Sequence, residues 1–509
     1  MMKTFLSGNE AIGLAAIDAG VGVATAYPGT PSSDIYETIE KMKKKDNLDF
    51  FSEWAVNEKI ALEICIGASL GGKRSICSMK HVGLNAAADP FMNVSYTGAN
   101  AGLVIVVADD PGIFSSQNEQ DSRYYADFSK MLCLEPSDQQ EAYDMTYRAF
   151  EISEKYKIPV LVRSVTRISH TSMPVLRKDK IEKSFKIEKN KEKWVLLPAI
   201  SRIRHKRLVE KYKEFKDFSE SSEYNKLELR DTKLGIIASG NGYNYAMEFF
   251  PDASILKIGT YPLPEEKIKK LIDHVDKILV IEEGAPFIEE KLKCHKEITG
   301  RLTGRIPMTG ELRPEFFSDF EKNETKKLPS RPPQMCVGCA YHRFYQEFSK
   351  VEKDVVVGDI GCYTLGAIPP YNSMDVVLCM GASVSMASGL SQTGYKKVVA
   401  LIGDSTFFHS GLTALIDAVR NDANFTLVIL DNSIVAMTGC QTTPQTPSDG
   451  KKNVSLEDII KSTGANLTVF NIYDKEFDIK KNIENSFEKK GVKVFIAKFP
   501  CLVSNLSKK

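Results

Sequence analysis

The amino-acid sequence predicts an α/β protein that contains several doubly wound, mostly parallel β-sheets. Short apolar runs rich in β-branched residues alternate along the chain with longer helix-like segments, which is typical of βαβ units. The runs are apolar throughout rather than at every second position, as expected for strands that are buried on both faces of a parallel sheet. With 509 residues and roughly 150 residues per domain, we expect about three such domains.

The first predicted domain spans residues 1–170. Its strand-like runs and helix-like segments alternate, so we expect a parallel sheet covered by helices on both faces. The predicted strands are 23–27, 74–79, 102–108 and 158–165, and the predicted helices are 8–20, 32–45, 57–70 and 137–155.

The middle of the chain changes character twice. Residues 171–230 are highly charged and lack glycine, and we predict a solvated linker with one exposed helix near 202–216. The βα pattern returns in a domain at 231–325, and a polar, proline-containing connection leads to a last doubly wound domain at 330–509. The βα pattern of the middle domain is marked by the segments 233–243, 253–264 and 277–284, and the predicted strands of the last domain are 354–360, 375–380, 397–403, 425–430 and 492–498.

The composition excludes several classes of protein. Lysine and arginine number 67 against 66 aspartate and glutamate, so the net charge is +1 and favours neither nucleic acid nor an anionic membrane as a partner. Charged residues interrupt the N-terminal apolar stretch and no apolar run approaches 18 residues, so we expect neither a signal peptide nor a membrane span. The 10 scattered cysteines suit reduced thiols, and we expect a cytoplasmic protein.

A complete βαβ unit in the last domain places polar residues at two strand ends. The strand 397–403 ends at Gly403–Asp404, Ser410 is positioned to cap the helix that follows, and the strand 425–430 ends at Asp431–Asn432. Ligands of open α/β sheets bind at the carboxyl ends of the strands, and aspartate and asparagine oxygens are hard ligands suited to Mg²⁺. The alternative is an ordinary βαβ unit with a polar turn at each strand end.

This unit resembles the coenzyme-binding motif of thiamine-diphosphate enzymes, in which Gly-Asp is followed after such an interval by (Asp/Asn)-Asn. The resemblance implies that Asp404, Asn432 and the carbonyl of Ile434 hold Mg²⁺ on the diphosphate. The common motif has glycine after the aspartate, whereas this chain has Ser405. The resemblance also implies a coenzyme-binding set with Gly381, Ala382 and Ser383 in a small-residue turn, Gly403, Asp404 and Ser405 at the strand end, and Asn432, Ile434 and Gly439 beyond it.

A glutamate in the first domain fits the other requirement of this coenzyme. Thiamine diphosphate is activated by a protonated carboxyl group at the N1′ nitrogen of its pyrimidine ring, which calls for a glutamate in a mostly apolar site. Glu58 is followed by Ala61, Gly67 and Ala68, a spacing like that of the helix after the activating glutamate in these enzymes. Alternatively, Glu58 only complements the positive end of its helix.

Further segments narrow the resemblance. The segments AYPGTPSS (26–33), SMKHVGLNAAADPFMN (78–93) and GDIGCYTLG (358–366), in this order and spacing, resemble the large subunit of indolepyruvate:ferredoxin oxidoreductase over nearly the whole chain. The resemblance implies three domains with α/β folds: a pyrimidine-binding domain at 1–170, a transketolase C-terminal-like domain at 231–325 and a diphosphate-binding domain at 330–509. It also implies oxidative decarboxylation of an aryl-pyruvate, with coenzyme A accepting the acyl group and ferredoxin the electrons.

The same resemblance suggests further site residues, each with a plainer alternative. Thr30 is expected near the oxo group of the substrate, or else in a helix N-terminal turn capped by Ser32 or Ser33. Lys80 and His81 follow a strand end, where they either meet substrate or coenzyme, with His81 as the catalytic candidate, or lie on the surface. Arg123 is expected to pair with the substrate carboxylate, or else with neighbouring side chains.

The C-terminal part departs from the family. The large subunit normally ends in a ferredoxin-like domain that holds two clusters through C-x₂-C-x₂-C-x₃-C-P runs, and this chain has no such run. We therefore expect no iron–sulfur cluster on this chain and a separate ferredoxin-like electron carrier. Cys336 and Cys339 form the only C-x₂-C, which with His342 suggests zinc but lacks a fourth ligand.

The missing domain leaves three functions open. The chain is an oxidoreductase that works with a partner, a non-oxidative thiamine-dependent decarboxylase or carboligase, or a non-catalytic coenzyme-binding subunit. Intact Glu58, Asp404 and Asn432 favour the first two functions. Because the pyrimidine and diphosphate domains of thiamine enzymes meet across a subunit contact, we expect a homodimer, or a heterotetramer with a smaller beta subunit.

Overall fold

A computed structural model describes residues 3–187, 189–292, 295–317, 333–446 and 451–503. The chain forms two compact units, Met1–Thr325 and Lys326–Lys509. Over the described residues, three mostly parallel sheets of seven, five and six strands account for the fold, which confirms the predicted α/β class with parallel-sheet domains. None of the described helices is long and apolar enough to cross a membrane.

The first unit contains the seven-stranded and the five-stranded sheet. Its strands are β1 (Lys3–Ser7), β2 (Val23–Ala26), β3 (Phe51–Trp54), β4 (Ser75–Lys80), β5 (Leu103–Asp109), β6 (Leu132–Leu134), β7 (Val160–Val165), β8 (Ser172–Leu176), β9 (Leu227–Glu228), β10 (Asp231–Ser239), β11 (Ala253–Ile258), β12 (Thr260–Tyr261), β13 (Lys277–Ile281) and β14 (Glu297–Thr299). Its helices are α1 (Gly8–Asp18), α2 (Ser33–Lys45), α3 (Glu58–Leu70), α4 (His81–Ala86), α5 (Ala88–Thr97), α6 (Arg123–Ser129), α7 (Gln139–Tyr156), α8 (Thr166–His170), α9 (Lys191–Trp194), α10 (Pro198–Ser221), α11 (Asn241–Phe249), α12 (Glu265–His274) and α13 (Phe287–Lys291).

The seven-stranded sheet has the order β12-β6-β7-β5-β4-β2-β3, and all of its pairs are parallel except β12 with β6. Every residue of β5 is buried, because helices cover both faces of the sheet. The strands β2 and β4 are neighbours in register, with Ala26 opposite Ser78. Thr30, which follows β2, and Lys80, which ends β4, therefore lie at the same edge of the sheet.

The segment predicted as a solvated linker contains regular structure. The strand β8 pairs with β1, β9 pairs with β11, and α10 is longer than the predicted helix at 202–216. Leu208 and Phe215 of α10 are buried, and these few apolar residues hold a helix whose other side chains are mostly charged and exposed. The strand β12, from the predicted domain 231–325, completes the first sheet. The boundaries of the predicted domains stay predictions.

The second unit is built on a six-stranded, fully parallel sheet of order β16-β15-β17-β18-β22-β21. Its strands are β15 (Val355–Gly358), β16 (Val376–Val377), β17 (Val398–Gly403), β18 (Thr426–Asp431), β19 (Ile434–Val435), β20 (Gln441–Thr442), β21 (Asn466–Asn471) and β22 (Lys493–Lys498), of which β19 and β20 form a separate hairpin. Its helices are α14 (Ala340–Phe348), α15 (Ala382–Gln392), α16 (Asp404–Thr406), α17 (Leu412–Arg420), α18 (Leu456–Thr463) and α19 (Ile479–Phe487).

Alternation along β17 divides the core of the second unit between the two faces of the sheet. Val399 and Leu401 belong to one apolar cluster, whereas Ala400 and Ile402 belong to the other. Five of the predicted strands of this domain are present, and β21 was not predicted. Ser410 does not cap a helix: a π-helical turn at Phe407–Gly411 joins α16 to α17, so the helix begins at Asp404, directly after the strand.

Candidate active site

Two of the predicted metal ligands lie side by side in the second unit. Asp404 follows β17 and Asn432 follows β18, and these strands pair in parallel with Gly403 opposite Leu430. Both side chains are buried, with 1% of Asp404 and 9% of Asn432 exposed. The Asn432 amide donates to the hydroxyl of Tyr341 at 3.4 Å, and its Oδ1 accepts from the backbone N–H of Ile434 at 3.2 Å. The fold thus brings an acidic and an amide oxygen to one sheet edge, as hard-cation binding requires.

The carboxylate of Asp404 lies near a second carboxylate, that of Asp431. Burial and the neighbouring Asp431 raise the pKa of Asp404 to about 7, and burial raises the pKa of Asp431. The side-chain amide of Gln445 donates to both groups, at 3.0 Å to Asp404 Oδ2 and at 2.7 Å to Asp431 Oδ1. A cation bound at Asp404 would stabilise the pair more strongly, because its charge offsets the repulsion that a neutral amide leaves in place. Gln445 was not found from the sequence.

The predicted small-residue turn is held by a buried aspartate that the sequence analysis missed. Asp359, after β15, accepts from the backbone N–H of Gly381 at 2.8 Å and from that of Ser383 at 2.9 Å. Gly381 has φ +84°, and a Cβ there would lie 2.5 Å from Cβ of Ser410, so only glycine fits. Ala382 begins α15 directly after this glycine. The backbone can therefore approach a ligand closely at this helix start.

The remaining predicted coenzyme contacts surround the same sheet edge. Gly403 ends β17, and Ser405 is half-buried in α16, one residue after Asp404. Ile434 begins the β19–β20 hairpin, and Gly439 with φ +125° lies in its turn. The structure therefore groups these residues around Asp404 and Asn432, and their contacts with the coenzyme stay predictions.

Glu58, the predicted activating residue, is a buried carboxyl group in the first unit. It begins α3 and is 5% exposed, and the N-cap of that helix is Asn57, whose side chain accepts from the N–H of Ile60 at 2.8 Å. The carboxyl group lies against Gly83 of α4, where a Cβ would approach Glu58 Oε1 to 2.5 Å. Since Asn57 already caps α3, burial of Glu58 exceeds what complementing a helix end requires.

Thr30, Lys80 and His81 lie together at the carboxyl edge of the large sheet. Lys80 ends β4 and His81 begins α4, and both side chains are buried, which excludes the alternative surface role. The loop 110–121 contacts all three residues: Lys80 Nζ donates to the carbonyl of Ser115 at 2.5 Å, and the Ser115 hydroxyl donates to the carbonyl of Thr30 at 3.1 Å. The third contact joins His81 Nε2 to the carbonyl of Asn118 at 3.2 Å.

The alternative for Thr30 is also changed by the structure. Ser32 is the N-cap of α2 but makes no side-chain cap hydrogen bond, and its hydroxyl donates to the carbonyl of Gly29 at 2.7 Å. Ser33 accepts from the N–H of Gly29 at 2.9 Å. Both serines therefore close the turn around Thr30 rather than cap the helix.

Arg123 is not free to bind a substrate carboxylate, and this prediction is wrong for a physical reason. Its side chain is fully buried, and every N–H of the guanidinium is used within the first unit. Nε donates to Asp121 at 2.9 Å, and Nη1 donates to Glu282 at 2.9 Å. Nη2 donates to the carbonyls of Glu283 and Ala285, each at 3.0 Å. A cavity of about 1000 Å³ borders Arg123, and none of the other predicted site residues lines it.

Five cysteines, Cys336, Cys339, Cys362, Cys440 and Cys501, share one neighbourhood in the second unit, and we call them the thiol cluster. Burial raises the pKa of the Cys362 thiol to about 12, and the thiols of Cys501, Cys339, Cys336 and Cys440 add to this increase. Burial also raises the pKa of Cys440, as do Cys501 and Cys336. The sequence analysis missed this cluster because its members come from four separate segments.

The surroundings of the thiol cluster do not favour a zinc ion. Within the described ranges, no three His, Cys, Asp or Glu side chains are placed to share one metal ion. The Nδ1 of His342 makes a hydrogen bond of 2.7 Å with the Tyr371 hydroxyl, so this ring is already oriented by another partner. The described side chains therefore do not support the zinc site that Cys336, Cys339 and His342 suggested.

Two family models match this chain. The model described as "Pyruvate flavodoxin/ferredoxin oxidoreductase, thiamine diP-bdg" matches residues 14–230. The model described as "Thiamine pyrophosphate enzyme, C-terminal TPP binding domain" matches residues 359–497. These ranges contain Glu58 and Asp404, respectively, so fold, site and family models together define a thiamine-diphosphate-binding oxidoreductase.

Curated relatives narrow the class further. The indolepyruvate oxidoreductase subunit IorA of Methanothermobacter thermautotrophicus is 38% identical over 99% of this chain and 87% of the relative. IorA of Archaeoglobus fulgidus is 40% identical over 98% of this chain and 87% of the relative. The chain therefore belongs to the family of indolepyruvate oxidoreductase subunit IorA. A solved 2-oxoglutarate:ferredoxin oxidoreductase from Magnetococcus marinus covers 58% of this chain and 62% of its own, at 17% identity and a TM-score of 0.49, and is too distant to add to this assignment.

Replacing Glu58 by glutamine tests the activating role. We expect Glu58→Gln to keep thiamine diphosphate bound but to slow exchange of its C2 proton by roughly 10²–10⁴-fold, because the amide cannot supply the same proton to N1′. The measurement is proton–deuterium exchange at C2 of the bound coenzyme, followed by NMR after acid quench. Glu63→Gln, an exposed position on the same helix, serves as the control. Exchange at the wild-type rate in Glu58→Gln would sink the assignment.

Replacing the proposed metal ligands tests the cation site in the second unit. We expect Asp404→Ala to weaken Mg²⁺-dependent binding of thiamine diphosphate by about 100-fold or more, and Asn432→Ala by about tenfold, since only the first loses a charged ligand. Gln445→Leu should bind thiamine diphosphate and Mg²⁺ more tightly than wild type does, because the Gln445 amide competes with the cation for Asp404. The measurement is calorimetric titration, with Gln392→Leu at an exposed position as the control. Unchanged affinity in both ligand variants would leave this unit as plain scaffold.

Proposed function

We propose that this chain catalyses the thiamine-diphosphate-dependent oxidative decarboxylation of aryl-pyruvates of the indolepyruvate type. The observation that carries the proposal is that both parts of the coenzyme machinery are intact in a chain related to IorA over nearly its full length. Glu58 is buried against Gly83, and Asp404 and Asn432 lie at neighbouring strand ends. Their integrity argues against a non-catalytic coenzyme-binding subunit.

The residues of the chain divide the chemical work as follows. Thiamine diphosphate, when bound by these residues, would supply a nucleophilic carbon and an electron sink for loss of CO₂. Glu58 holds a proton at the pyrimidine nitrogen, and burial at the start of α3 keeps water away from that contact. The turn at Gly381–Ser383, held by Asp359, allows close backbone approach to the diphosphate. His81, which is buried at the carboxyl edge of the same sheet, is the residue that we propose to face the oxo group.

Mg²⁺ is the cation that we propose for the site at Asp404 and Asn432. The residues fit it in chemistry: a carboxylate of Asp404, an amide oxygen of Asn432 and a backbone carbonyl of Ile434 are all hard oxygen donors. They also fit it electrostatically, since Asp404 and Asp431 share the neutral amide of Gln445, and Lys498, the lysine that lowers the pKa of Asp431, is paired with Glu457. A divalent cation would relieve that repulsion.

The thiol cluster supports an iron–sulfur cluster on this chain, against the sequence-based expectation of none. That expectation counted only cysteines adjacent in sequence, whereas the fold gathers thiols around Cys362 from four segments. Thiolates are the ligands that iron–sulfur clusters require, and oxidative decarboxylation must pass on two electrons. Tyr341 connects the thiol cluster with the cation site. Its hydroxyl contacts Asn432, and it lies two residues after Cys339 at the start of α14. A bound cluster would accept electrons close to the coenzyme.

The proposal includes partners and an acyl acceptor. The curated relatives are named as subunits, so we propose that this chain works with a smaller beta subunit, as a homodimer or heterotetramer. Coenzyme A is the proposed acceptor of the acyl group, and a ferredoxin-like protein is the proposed carrier that receives the electrons. We propose a cytoplasmic location, which agrees with the even balance of charge.

The decisive experiment measures CO₂ and electrons together. The anaerobically reconstituted chain, alone and with the smaller partner, is given indolepyruvate, phenylpyruvate, pyruvate or 2-oxoglutarate, with coenzyme A and a viologen dye. We expect preference for the aryl-pyruvates, with two dye molecules reduced for each CO₂, because decarboxylation to an acyl group releases two electrons. Release of CO₂ without dye reduction in every combination would instead establish the non-oxidative decarboxylase.

The same experiment separates the cluster from the coenzyme chemistry. We expect Cys362→Ala to lose iron, labile sulfide and dye reduction, while its thiamine diphosphate affinity stays unchanged, because Cys362 is the member whose pKa all four other thiols raise. Cys379→Ala is the matched control, since Cys379 is an exposed cysteine outside the thiol cluster. Absence of iron and sulfide from the reconstituted wild-type chain would contradict the cluster and place the electron acceptor on a partner.

A further inference from the structure

Lys80 is a buried cation with an incomplete set of partners. It ends β4 and is 7% exposed. A lysine ammonium has three N–H donors, and among the described residues only one hydrogen bond of Lys80 is present, to the carbonyl of Ser115 at 2.5 Å. Burial lowers the pKa of Lys80 to about 8, and nearby Asp110 opposes this shift. Two donors of the ammonium therefore remain for another group.

Asp110, the nearest carboxylate, is already occupied by other donors. Its Oδ2 accepts from the Ser115 N–H at 2.8 Å and from the Ser116 hydroxyl at 2.5 Å, and its Oδ1 accepts from Thr166 at 2.8 Å. In the part of the chain that the structure describes, Lys80 makes no ion pair within 4.0 Å of a carboxylate. A buried charge without a direct counter-ion is costly, so an anion that comes from outside would stabilise this ammonium.

Lys80 lies beside other residues that the sequence analysis predicts to meet the substrate or the coenzyme. Its side chain passes Gly29, 3.1 Å from where a Cβ of that residue would be, in the turn that carries Thr30. His81, the next residue, is 1% exposed, and its Nδ1 has no hydrogen-bond partner among the described residues. The helix α4 that begins at His81 carries Gly83, against which Glu58 lies. An unpaired ammonium, an unpaired imidazole nitrogen and the activating carboxyl group thus share one edge of the sheet.

We propose that Lys80 binds the carboxylate of the 2-oxo acid substrate, the role that the sequence assigned to Arg123. The inference rests on the proposed function, because it takes a 2-oxo acid as the substrate. The unused N–H donors of Lys80 pair with the carboxylate, and the unpartnered Nδ1 of His81 faces the adjacent oxygen atoms of the substrate. Arg123 cannot take this role because Asp121, Glu282 and backbone carbonyls use all of its donors.

The chemistry of decarboxylation predicts how loss of Lys80 changes KM and kcat. The substrate carboxylate carries its full charge on binding and loses it as CO₂ departs, so the ion pair is stronger in the bound substrate than in the transition state for decarboxylation. An interaction of this kind supports binding rather than the chemical step. Removing the ammonium should therefore raise KM much more than it lowers kcat. A residue that only supports the fold would lower stability and coenzyme binding together.

The test uses the whole enzyme, reconstituted with coenzyme and partner, and the variants Lys80→Met and Lys80→Gln. Each keeps side-chain volume and removes the charge, and the second remains polar in case the first fails to fold. We expect KM for phenylpyruvate to rise by about 10–100-fold, with kcat within about threefold of wild type and unchanged thiamine diphosphate affinity. Lys80→Arg should recover part of the lost affinity. Lys59→Met, at a half-exposed lysine of α3, is the matched control.

A binding measurement separates this inference from the proposed function. Phenyllactate and its neutral amide are titrated into the coenzyme-loaded enzyme by calorimetry. Wild type should prefer the acid by about tenfold or more, and both Lys80 variants should lose that preference. An equal preference for the acid in wild type and in the Lys80 variants would overturn the role of Lys80 and leave the proposed function intact. Failure of wild type to decarboxylate any 2-oxo acid would instead refute the proposed function on which the inference rests.

Discussion

The second unit depends on burying the carboxylate of Asp404 beside that of Asp431. Two carboxylates at neighbouring strand ends repel each other, and loss of solvent makes each of them costly to ionise. The amide of Gln445 contacts both groups. That contact draws the segment after the β19–β20 hairpin over the edge of the sheet, and Tyr341 holds Asn432 on the other side. The parallel sheet brings two acidic strand ends together at a place where either protonation or a bound cation relieves their repulsion.

The first unit also buries several carboxylates close together, and there arginine side chains of the protein itself compensate their charge. Arg123 and Arg163 are fully buried and are surrounded by Asp109, Asp121 and Glu282, so these charges compensate one another. This network joins the large sheet to the five-stranded sheet, because Glu282 follows β13 and Asp109 ends β5. Lys80 is different, since it is buried at the same sheet edge without such compensation. All N–H donors of Arg123 are used within the protein, whereas Lys80 keeps donors for a ligand. This difference distinguishes a structural charge from one that is available for binding.

Sequence reasoning predicted the placement of side chains correctly where neighbouring strand ends fix their positions. Asp404 and Asn432 each follow an apolar strand, and parallel strands place such residues together without any knowledge of the remaining fold. It failed where a side chain meets partners from distant segments. Arg123 lies 159 positions from Glu282, and no local pattern reports that contact. The thiol cluster and Gln445 were missed for the same reason. The structured segment 171–230 was missed because a few buried residues such as Phe215 hold it in place despite its many exposed charges.

The most direct test of the central claim is the pH dependence of coenzyme binding by the wild-type chain. Burial and Asp431 raise the pKa of Asp404 to about 7, so this carboxyl group is largely protonated at pH 6 and must lose its proton before it can bind Mg²⁺. Calorimetric titration with Mg²⁺ and thiamine diphosphate should show affinity that rises from pH 6 to about pH 8 and then levels, with proton release on binding below pH 7. Affinity that is independent of pH, with no proton released, would contradict the claim that a buried carboxylate awaits a cation.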